Sequence, residues 1–425
     1  MVWNGPRVTL SRDGCFTAAD IEQTAALPCW LDVDLDAIAE NVRALQSWVS
    51  PRTRMAAVVK AQGYGAGAER VARAALGAGA TWLAVARVHE GFELREAGLD
   101  APILVLNRTD PAEADLAVRA GLAVTVDGEE VVRALGVAAA RHGRRAAVHL
   151  KVDTGLHRFG VEPERALPLA RYLASIEGVD VQALYTHFAS ADEPDSSFTR
   201  EQLARFQRVT EDLADAGYRF PILHAANSAA TLGVPEAHLD LVRLGLTLYG
   251  TSPSGLMPEG LQLRPAVALR ARVARVMELS VGEGVGYGQT WRAQRPTRLA
   301  LVSAGYADGV SRRLSNRGRA LIQGREVPLV GRVSMDMTTI DITAVPGVDV
   351  GAVVTFFGRD GSAEVSLSQF AAAAETIPHE AMTLIGGRVA RVYWQRGEVS
   401  GVSRLGSAVA VAPGEARAEL AGVWV

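Results

Sequence analysis

Only two of the 44 basic residues are lysines, Lys60 and Lys151; all the others are arginines. A coding bias explains the arginines, because arginine can replace lysine wherever only a solvated positive charge is needed. The bias does not explain why lysine remains at positions 60 and 151. Arginine cannot become a neutral nucleophile, because its pKa lies above about 12, whereas a buried lysine can lose its proton. Lys60 ends the apolar run MAAVVK and precedes a glycine-rich segment, surroundings that favour a reactive amine. We therefore predict a chemical role for Lys60.

Elements that could position this amine follow a regular pattern. From Trp30 onward, short apolar or β-branched runs alternate with helical segments, and these runs lie at 31–35, 55–61, 82–86, 102–106, 122–126, 146–152, 181–187, 222–226 and 241–246. Eight or nine buried strands, each followed by a helix, predict an α/β fold with a closed (β/α)8 TIM-like barrel. The alternative is an open doubly wound sheet, which is disfavoured because no Gly-x-Gly-x-x-Gly segment follows the first strand.

The pattern changes near Arg264. Beyond it, strand-like runs are separated by turn signals such as VGEG and GRDG, and the only helical pattern is SLSQFAAAAE. This composition predicts a second, mainly β domain. We expect an N-terminal extension (1–29), a barrel (30–264), a β domain (265–398) and a tail of unassigned role (399–425).

Residues that follow barrel strands face the active-site end of such a fold. Besides Lys60, those that could do chemistry there are Arg158, His187, Asn227, Ser228, Arg243 and Gly245. The late strands of these barrels commonly hold a phosphate, which Ser228 and the backbone at Gly245 could bind. Taken singly, each has a simpler explanation: His187 as a packing residue, Ser228 as a helix cap, Arg243 as the ion-pair partner of Asp240.

Bulk properties exclude several other classes. The formal net charge of −3 gives no support for a nucleic-acid partner or an anionic membrane surface. No apolar run is long enough to span a membrane, and the first 27 residues lack the apolar core of a secretion signal. Cys15 and Cys29 lack metal-binding spacing, so we expect neither a metal site nor a disulfide framework. We expect a cytoplasmic location.

The segment VVKAQGYGAG resembles the pyridoxal-phosphate lysine signature of alanine racemases, and the likeness extends over residues 30–396. The other matching blocks, in the family's order and spacing, are LDVDLDAIAENV, KVDTGLHRFG, LYTHFASAD, HAANSAA, LVRLGLTLYG, GYGQT, AGYADG and GRVSMDM. The resemblance implies a barrel followed by a β domain, and a head-to-tail homodimer with shared active sites. It also implies that pyridoxal 5′-phosphate is the cofactor and that L- and D-alanine are interconverted, which supplies D-alanine for cell-wall peptidoglycan.

The resemblance also implies individual roles. Lys60 would carry the cofactor and serve as one catalytic base, and Tyr287 of the partner subunit would be the other. The remaining cofactor contacts would come from Tyr64, His187, Ser228, Arg243, Gly245 and Leu246. Substrate contacts would come from Arg158 and from the partner subunit's Tyr306 and Met335, with Asp192, Arg312 and Arg332 along the substrate corridor. Lys151 would be carbamylated; the alternative is a salt bridge to Asp153 or to a neighbouring residue.

Racemisation itself explains two of these roles. The α-proton must leave one face of the substrate and return to the other, which requires two acid–base groups on opposite faces. An arginine beside the cofactor's pyridine nitrogen, here Arg243, disfavours protonation of that nitrogen and so weakens the electron sink. A less stabilised carbanion is reprotonated quickly, which suits a racemase better than an aminotransferase.

Rival interpretations remain at this stage. Gly387 stands where some family members have a tyrosine that lines the pocket, so serine or another small amino acid could be accepted beside or instead of alanine. A pyridoxal-phosphate decarboxylase on the same plan is disfavoured by Arg158 and the GYADG and SMD blocks, which would retain the substrate carboxylate. A non-catalytic cofactor-binding protein is disfavoured by the second domain with Tyr287.

Overall fold

The computed structural model describes residues 27–253, 255 and 257–404. The predicted N-terminal extension, apart from residues 27–29, lies outside the described residues, as do Cys15 and the tail from residue 405 onward. Among the described residues, no helix has both the length and the apolar character needed to cross a bilayer.

The first strand does not belong to the barrel, although its apolar residues suggest that it does. Strand β1 (Cys29–Asp34) pairs antiparallel with β10 (Val267–Leu279) and parallel with β19 (Ala390–Gln395). The partly buried carboxylate of Asp32 accepts hydrogen bonds from the indoles of Trp30 (3.0 Å) and Trp394 (2.8 Å). Since a carboxylate leaves water at high cost unless it is hydrogen-bonded, these partners favour this placement.

Eight parallel strands then form the barrel, which confirms the predicted fold class. Their order around the sheet is β8-β7-β6-β5-β4-β3-β2-β9. Backbone hydrogen bonds from Arg243 to Ala226 (3.0 Å) and from Asp240 to Leu223 (3.0 Å) join the two ends of this path. The strands are β2 (Arg54–Val58), β3 (Trp82–Val85), β4 (Ile103–Arg108), β5 (Ala123–Val126), β6 (Ala146–Lys151), β7 (Val179–Tyr185), β8 (Ile222–His224) and β9 (Leu241–Leu244).

Helices alternate with these strands and cover the outside of the barrel. They are α1 (Leu35–Trp48), α2 (Ala68–Gly77), α3 (Val88–Glu96), α4 (Ala114–Arg119), α5 (Glu129–His142), α6 (Ala166–Ser175), α7 (Ser197–Asp215) and α8 (Ser228–Gly233). Because inward side chains fill the barrel and outward ones meet helices, β3 and β5 are buried at every position. Helix α1 begins where the carboxylate of Asp34 accepts from the backbone of Ala37 (2.8 Å), a normal N-cap.

The second sheet has ten strands, including β1, and matches the predicted mainly β character. Its main path is β15-β14-β17-β10-β1-β19-β20, with β13, β16 and β18 attached at the side. The members not yet named are β13 (Thr297–Val302), β14 (Arg319–Ile322), β15 (Arg325–Pro328), β16 (Thr338–Asp341), β17 (Val353–Asp360), β18 (Ala363–Val365) and β20 (Glu398–Arg404); β11 (Gly284–Val285) and β12 (Trp291–Arg292) form a separate ribbon.

Two helices accompany this sheet. Helix α9 (Leu367–Ala373) falls in the predicted segment SLSQFAAAAE and begins with a capping box, in which Ser366 and Gln369 bind each other's backbone. Helix α10 (Pro378–Thr383) has no apolar period long enough to predict it, but proline at its first position fits a helix start. It packs against the segment that contains Lys60.

Candidate active site

Lys60 begins a five-residue turn directly after β2. The next four residues, Ala61, Gln62, Gly63 and Tyr64, have φ values of 52°, 54°, 61° and 55°, so the chain makes a left-handed turn. We call Lys60–Tyr64 the lysine turn. For residues other than glycine this conformation costs roughly 1–2 kcal/mol each, so the surrounding structure must hold it.

Barrel residues supply part of that support. The carboxylate of Glu90, on α3, accepts a hydrogen bond from the backbone of Ala61 (2.7 Å). The buried hydroxyl of Tyr249 donates to the carbonyl of Gly63. Both contacts fix the backbone just after Lys60, and so they fix the direction of its side chain.

The second sheet supplies the rest. Arg391, on β19, is completely buried and donates to the carbonyl of Gly65 (2.8 Å) and to those of Ile385 (2.9 Å) and Gly386 (2.8 Å). Burial lowers the pKa of Arg391 to about 10. One arginine therefore links Gly65, the residue directly after the lysine turn, to the segment that follows α10.

The surroundings of Lys60 favour its neutral form. Burial lowers the pKa of the Lys60 amine, and the nearby Arg158 guanidinium lowers it further, while Glu90 acts in the opposite direction. This pKa is lowered by the two causes expected for a reactive lysine, desolvation and a like charge. The structure thus gives Lys60 the electrostatic setting of a nucleophilic amine.

A cavity of about 170 Å³ brings most of the predicted residues together. Seven of them line it: Lys60, Tyr64, His187, Asn227, Ser228, Arg243 and Gly245. Asp192 of the predicted corridor lines it as well, and so does His379, which the sequence motifs do not mark. A larger cavity, of about 1050 Å³, opens at the starts of the barrel strands, but it contains no lysine and none of the predicted residues.

One wall of the small cavity has the character of an anion cradle. A Cβ atom at Gly245 would lie only 2.3 Å from the hydroxyl of Tyr64, so close approach requires glycine there. The backbone N–H of Gly245 points at the hydroxyl of Ser228 (2.8 Å), and Thr247 donates to the same oxygen (3.2 Å). Hydroxyls and a backbone N–H that converge in this way suit a phosphate group. Leu246, also predicted to contribute its backbone, is fully buried beside them.

Arg243 is held by a chain of buried histidines. Its guanidinium donates to Nδ1 of His224 (2.8 Å) and lies 3.2 Å from Nδ1 of His187. Because arginine can only donate, Nδ1 of His224 must accept; Nε2 of His224 then carries the proton and donates to Nδ1 of His149 (3.0 Å). The sequence could have revealed His149 and His224, because His149 shares the inward face of β6 with Lys151 and His224 ends β8 just before Ser228.

The surroundings of the three histidines favour their neutral forms, whereas Arg243 stays charged. Burial lowers the pKa of His149 to about 3, and burial together with Arg243 lowers those of His187 and His224 well below the usual value. Burial lowers the pKa of Arg243 itself to about 10, so it stays charged at neutral pH. The floor of the cavity therefore presents one fixed positive charge.

Lys151 is buried, close enough to Arg158 and Arg243 for their charges to lower its pKa, and it forms no ion pair within the described part of the chain. Its amine donates to the carbonyl of Phe159, whereas the carboxylate of Asp153 accepts from the backbone of Gly155 (2.8 Å) and Leu156 (2.9 Å). The alternative of a salt bridge between Lys151 and Asp153 is therefore wrong. Burial, with a smaller contribution from Arg158, lowers the pKa of Lys151 to about 8.

Three predicted residues lie away from this cavity. Tyr287, Tyr306 and Met335 have 71%, 42% and 52% of their surface exposed, and none lines the cavity that contains Lys60. The turns that carry Tyr306 and Met335 are joined, because the backbone N–H of Ala307 donates to the carbonyl of Met335 (3.0 Å). Large exposed side chains of this kind often mark a surface that another molecule covers.

The remaining predicted residues are three arginines, none of which lines the cavity. Arg158 is exposed, but it is close enough to Lys60, Lys151 and His187 to lower the pKa of each. Arg332 lies beside the loop of Tyr287, about 3.4 Å from where a Cβ atom of Gly288 would be. Arg312 is exposed and does not line the cavity. Within residues 27–253, 255 and 257–404, no cluster of three or more His, Cys, Asp or Glu side chains could bind a metal ion.

Comparison with known protein families assigns both parts of the chain. The family model described as "Alanine racemase, N-terminal domain" matches residues 33–253, and "Alanine racemase, C-terminal domain" matches residues 266–393. An alanine racemase of Symbiobacterium thermophilum is 44% identical over 366 residues, which cover 86% of this chain and 97% of that protein.

Solved structures give the same result. An alanine racemase of Bacillus anthracis with bound L-Ala-P is 35% identical, with a TM-score of 0.83 over 89% of this chain and 98% of that one. An alanine racemase of Bartonella henselae with covalently bound pyridoxal phosphate is 29% identical, with a TM-score of 0.78 over 86% of this chain and 99% of that one.

Proposed function

The chain belongs to the alanine racemase family, and on that premise we propose that it interconverts L- and D-alanine with pyridoxal 5′-phosphate as cofactor. The proposal depends on one observation, which is that a single cavity contains the groups that would bind the cofactor. It combines a lysine amine of lowered pKa, a single buried arginine and a glycine-lined anion cradle.

The residues present fit this cofactor. Tyr64, Ser228 and the backbone of Gly245 and Leu246 would hold the phosphate. Glycine at position 245 leaves the cradle open for it, because a Cβ atom there would lie in the cradle, against the hydroxyl of Tyr64. Lys60 would hold the aldehyde carbon covalently, and Arg243 would lie beside the pyridine nitrogen. When bound, pyridoxal phosphate supplies the electron sink that makes the substrate's α-proton acidic.

The protein's part in the reaction is to move one proton at each face of the α-carbon. The amine of Lys60 accepts or returns the proton on one face, and the lowering of its pKa by burial and by Arg158 favours the neutral form that can accept it. Arg243 keeps its charge, and His224 and His149 hold it in place. Beside the pyridine nitrogen of a bound cofactor, this fixed cation would disfavour protonation of that nitrogen. Arg158 would bind the substrate carboxylate, which argues against a decarboxylase.

The second base would come from another copy of the chain. Tyr287, Tyr306 and Met335 are exposed on one subunit and absent from its own cavity, so a homodimer in which each subunit completes the other's site fits both observations. Tyr287 of the partner subunit would face the α-carbon opposite Lys60, and the partner's Tyr306 and Met335 would border the substrate. A protein that only bound the cofactor would have no use for this second base. We expect this dimer in the cytoplasm.

Chiral analysis of the products tests the proposal and its range. We expect alanine to be inverted in both directions, and serine to be inverted as well, because position 387 has no side chain that would narrow the site. The much longer side chain of lysine should be rejected. The backbone at Gly387 is exposed and has no positive φ, so a larger residue fits there. The Gly387→Tyr variant should lose about tenfold in kcat/KM on serine relative to alanine.

Two results would contradict these statements. If neither enantiomer of alanine is inverted by the protein with added pyridoxal phosphate, the proposed function is wrong. If alanine is inverted but serine is strongly rejected by the wild type, only the inference about Gly387 is wrong.

We also propose that Lys151 is carbamylated. Its nitrogen would add to the carbon of CO2 and release one proton to solvent, which requires the neutral amine that a pKa of about 8 provides. Loading with ¹³C-bicarbonate should produce a carbamate carbon signal in the NMR spectrum of the wild type and none in Lys151→Arg, which keeps a cation. An identical signal in both proteins would place the carbamate elsewhere.

The same pKa predicts how stability depends on pH. Since the folded-state pKa lies below the ordinary lysine value of 10.5, burying the charged amine destabilises the protein at pH below about 8, and this cost disappears as the pH rises toward 10.5. Without bicarbonate, the free energy of unfolding should therefore rise more steeply with pH in the wild type than in Lys151→Met. Parallel slopes would show that Lys151 has an ordinary pKa.

A further inference from the structure

His379 is a titratable residue of the cavity to which the family motifs give no role. It occupies the second position of α10 and lines the cavity together with Lys60 and Ser228. Its ring centroid is 5.9 Å from that of Tyr64. Among the described residues, its ring nitrogens have no hydrogen-bond partner.

The titratable groups around His379 lie on the lysine turn, on the segment after β7 and on α10 itself. The lysine turn contributes Lys60 and Tyr64, and the segment after β7 contributes Asp192. Helix α9, which packs against α10, contains no titratable residue. On α10 itself, Glu380 accepts a hydrogen bond from Thr376. Burial lowers the pKa of His379, Lys60 lowers it further, and Asp192 opposes them.

Tyr64 connects this imidazole to the anion cradle. Its hydroxyl lies against Gly245, while its ring faces His379. An anion held between Tyr64, Ser228 and Gly245 would therefore lie in the same small cavity as an imidazole that has no partner. Each of the three strong acceptor oxygens of a phosphate can accept more than one hydrogen bond, so the phosphate can bind a donor beyond the hydroxyls and N–H groups of the cradle.

We propose that His379 is a further phosphate-binding residue, which donates a hydrogen bond to the cofactor phosphate and takes up a proton when that phosphate binds. This inference rests on the proposed function, because the ligand is its cofactor. In the protein without a ligand, burial and Lys60 lower the pKa of this imidazole more than Asp192 raises it, which favours the neutral form. A dianion beside it favours the imidazolium, since an opposite charge stabilises the charged form.

The test measures binding rather than activity. Pyridoxine 5′-phosphate and pyridoxine lack the aldehyde, so Lys60 cannot bond covalently to either, and they differ only in the phosphate. Their dissociation constants would be measured by calorimetry at pH 6.5 and 8.5 for wild type, His379→Phe and His379→Tyr. His89→Phe is the matched control, because His89 is exposed on α3 and does not line the cavity.

Phenylalanine keeps the ring contact with Tyr64 but cannot donate a hydrogen bond. We expect His379→Phe to bind pyridoxine 5′-phosphate about tenfold more weakly than wild type at pH 6.5. The difference should shrink at pH 8.5, because the imidazolium is lost as the pH rises, and pyridoxine binding should not change.

His379→Tyr should recover most of the affinity at pH 8.5 without the pH dependence. Wild type should also take up more protons on binding than His379→Phe, which heats measured in buffers of different ionisation enthalpy would reveal.

The outcomes separate the two proposals. Equal binding of pyridoxine 5′-phosphate by wild type and His379→Phe, or equal weakening for both ligands, would overturn the role of His379 and leave the proposed function intact. Failure of the wild type to bind pyridoxine 5′-phosphate at all would instead contradict the proposed cofactor.

Discussion

Lys60→Arg should abolish both the visible absorption band of the cofactor-loaded protein and the racemisation of alanine. Arginine keeps the positive charge and much of the length of the side chain, but its guanidinium stays protonated and cannot bond covalently to an aldehyde. Among the described residues that line the cavity, Lys60 carries the only amine, and burial and the nearby Arg158 lower its pKa, which favours the neutral form. We expect activity to fall by at least about 10⁴-fold, because the variant loses the covalent link and one of the two bases.

The second lysine provides an internal control for this experiment. Lys151 remains in the variant, and its pKa is also lowered, so it tests whether any neutral lysine suffices. Borohydride reduction of the wild type, followed by digestion, should place the cofactor on the peptide that contains Lys60. Label on the Lys151 peptide, or a visible band that survives in Lys60→Arg, would contradict the assignment.

The geometry of the barrel made much of the candidate site predictable from the sequence. Parallel strands all end at one rim, so residues that directly follow strands converge whatever their distance in sequence. That rule, applied to Lys60, His187, Ser228 and Gly245, correctly places them around one cavity. It needs only the strand positions, which continuous apolar runs make visible.

The misplaced first strand shows where such runs mislead. The segment LDVDL alternates apolar and acidic residues, and in β1 the apolar Leu31 and Val33 are buried while Asp32 and Asp34 are less so. Barrel strands are buried on both faces, as β3 and β5 are, so they do not alternate in this way. Alternation was the available sign that β1 belongs to the other sheet.

Contacts between distant elements could not be predicted at all. The hydrogen bond from Arg391 to Gly65, directly after the lysine turn, joins positions 326 residues apart, and nothing in either local pattern specifies the pair. The same holds for His379, whose short helix has no apolar period. Such residues become visible only when the second sheet is placed against the barrel.

A heterodimer that combines Lys60→Ala in one subunit with Tyr287→Phe in the other should recover about half of the wild-type activity. Each homodimer should be nearly inactive, since loss of a single acid–base group costs roughly 10²–10⁴-fold in rate. In a two-fold dimer whose subunits complete each other's sites, one site of the heterodimer contains both lesions and the other contains neither. Co-expression with two affinity tags and sequential purification would isolate the heterodimer for a racemisation assay.

The matched control carries both lesions in one subunit, paired with a wild-type subunit. Shared sites then predict almost no activity, because each site contains one lesion, whereas sites confined to one subunit predict about half. The two arrangements therefore give opposite results in the two heterodimers, and a general effect of tagging or folding cannot imitate both. Because Tyr287 is 71% exposed and absent from the cavity of its own subunit, we expect the shared pattern. Activity in the control but not in the complementing pair would mean that Tyr287 reaches Lys60 of its own chain by a rearrangement of the second sheet.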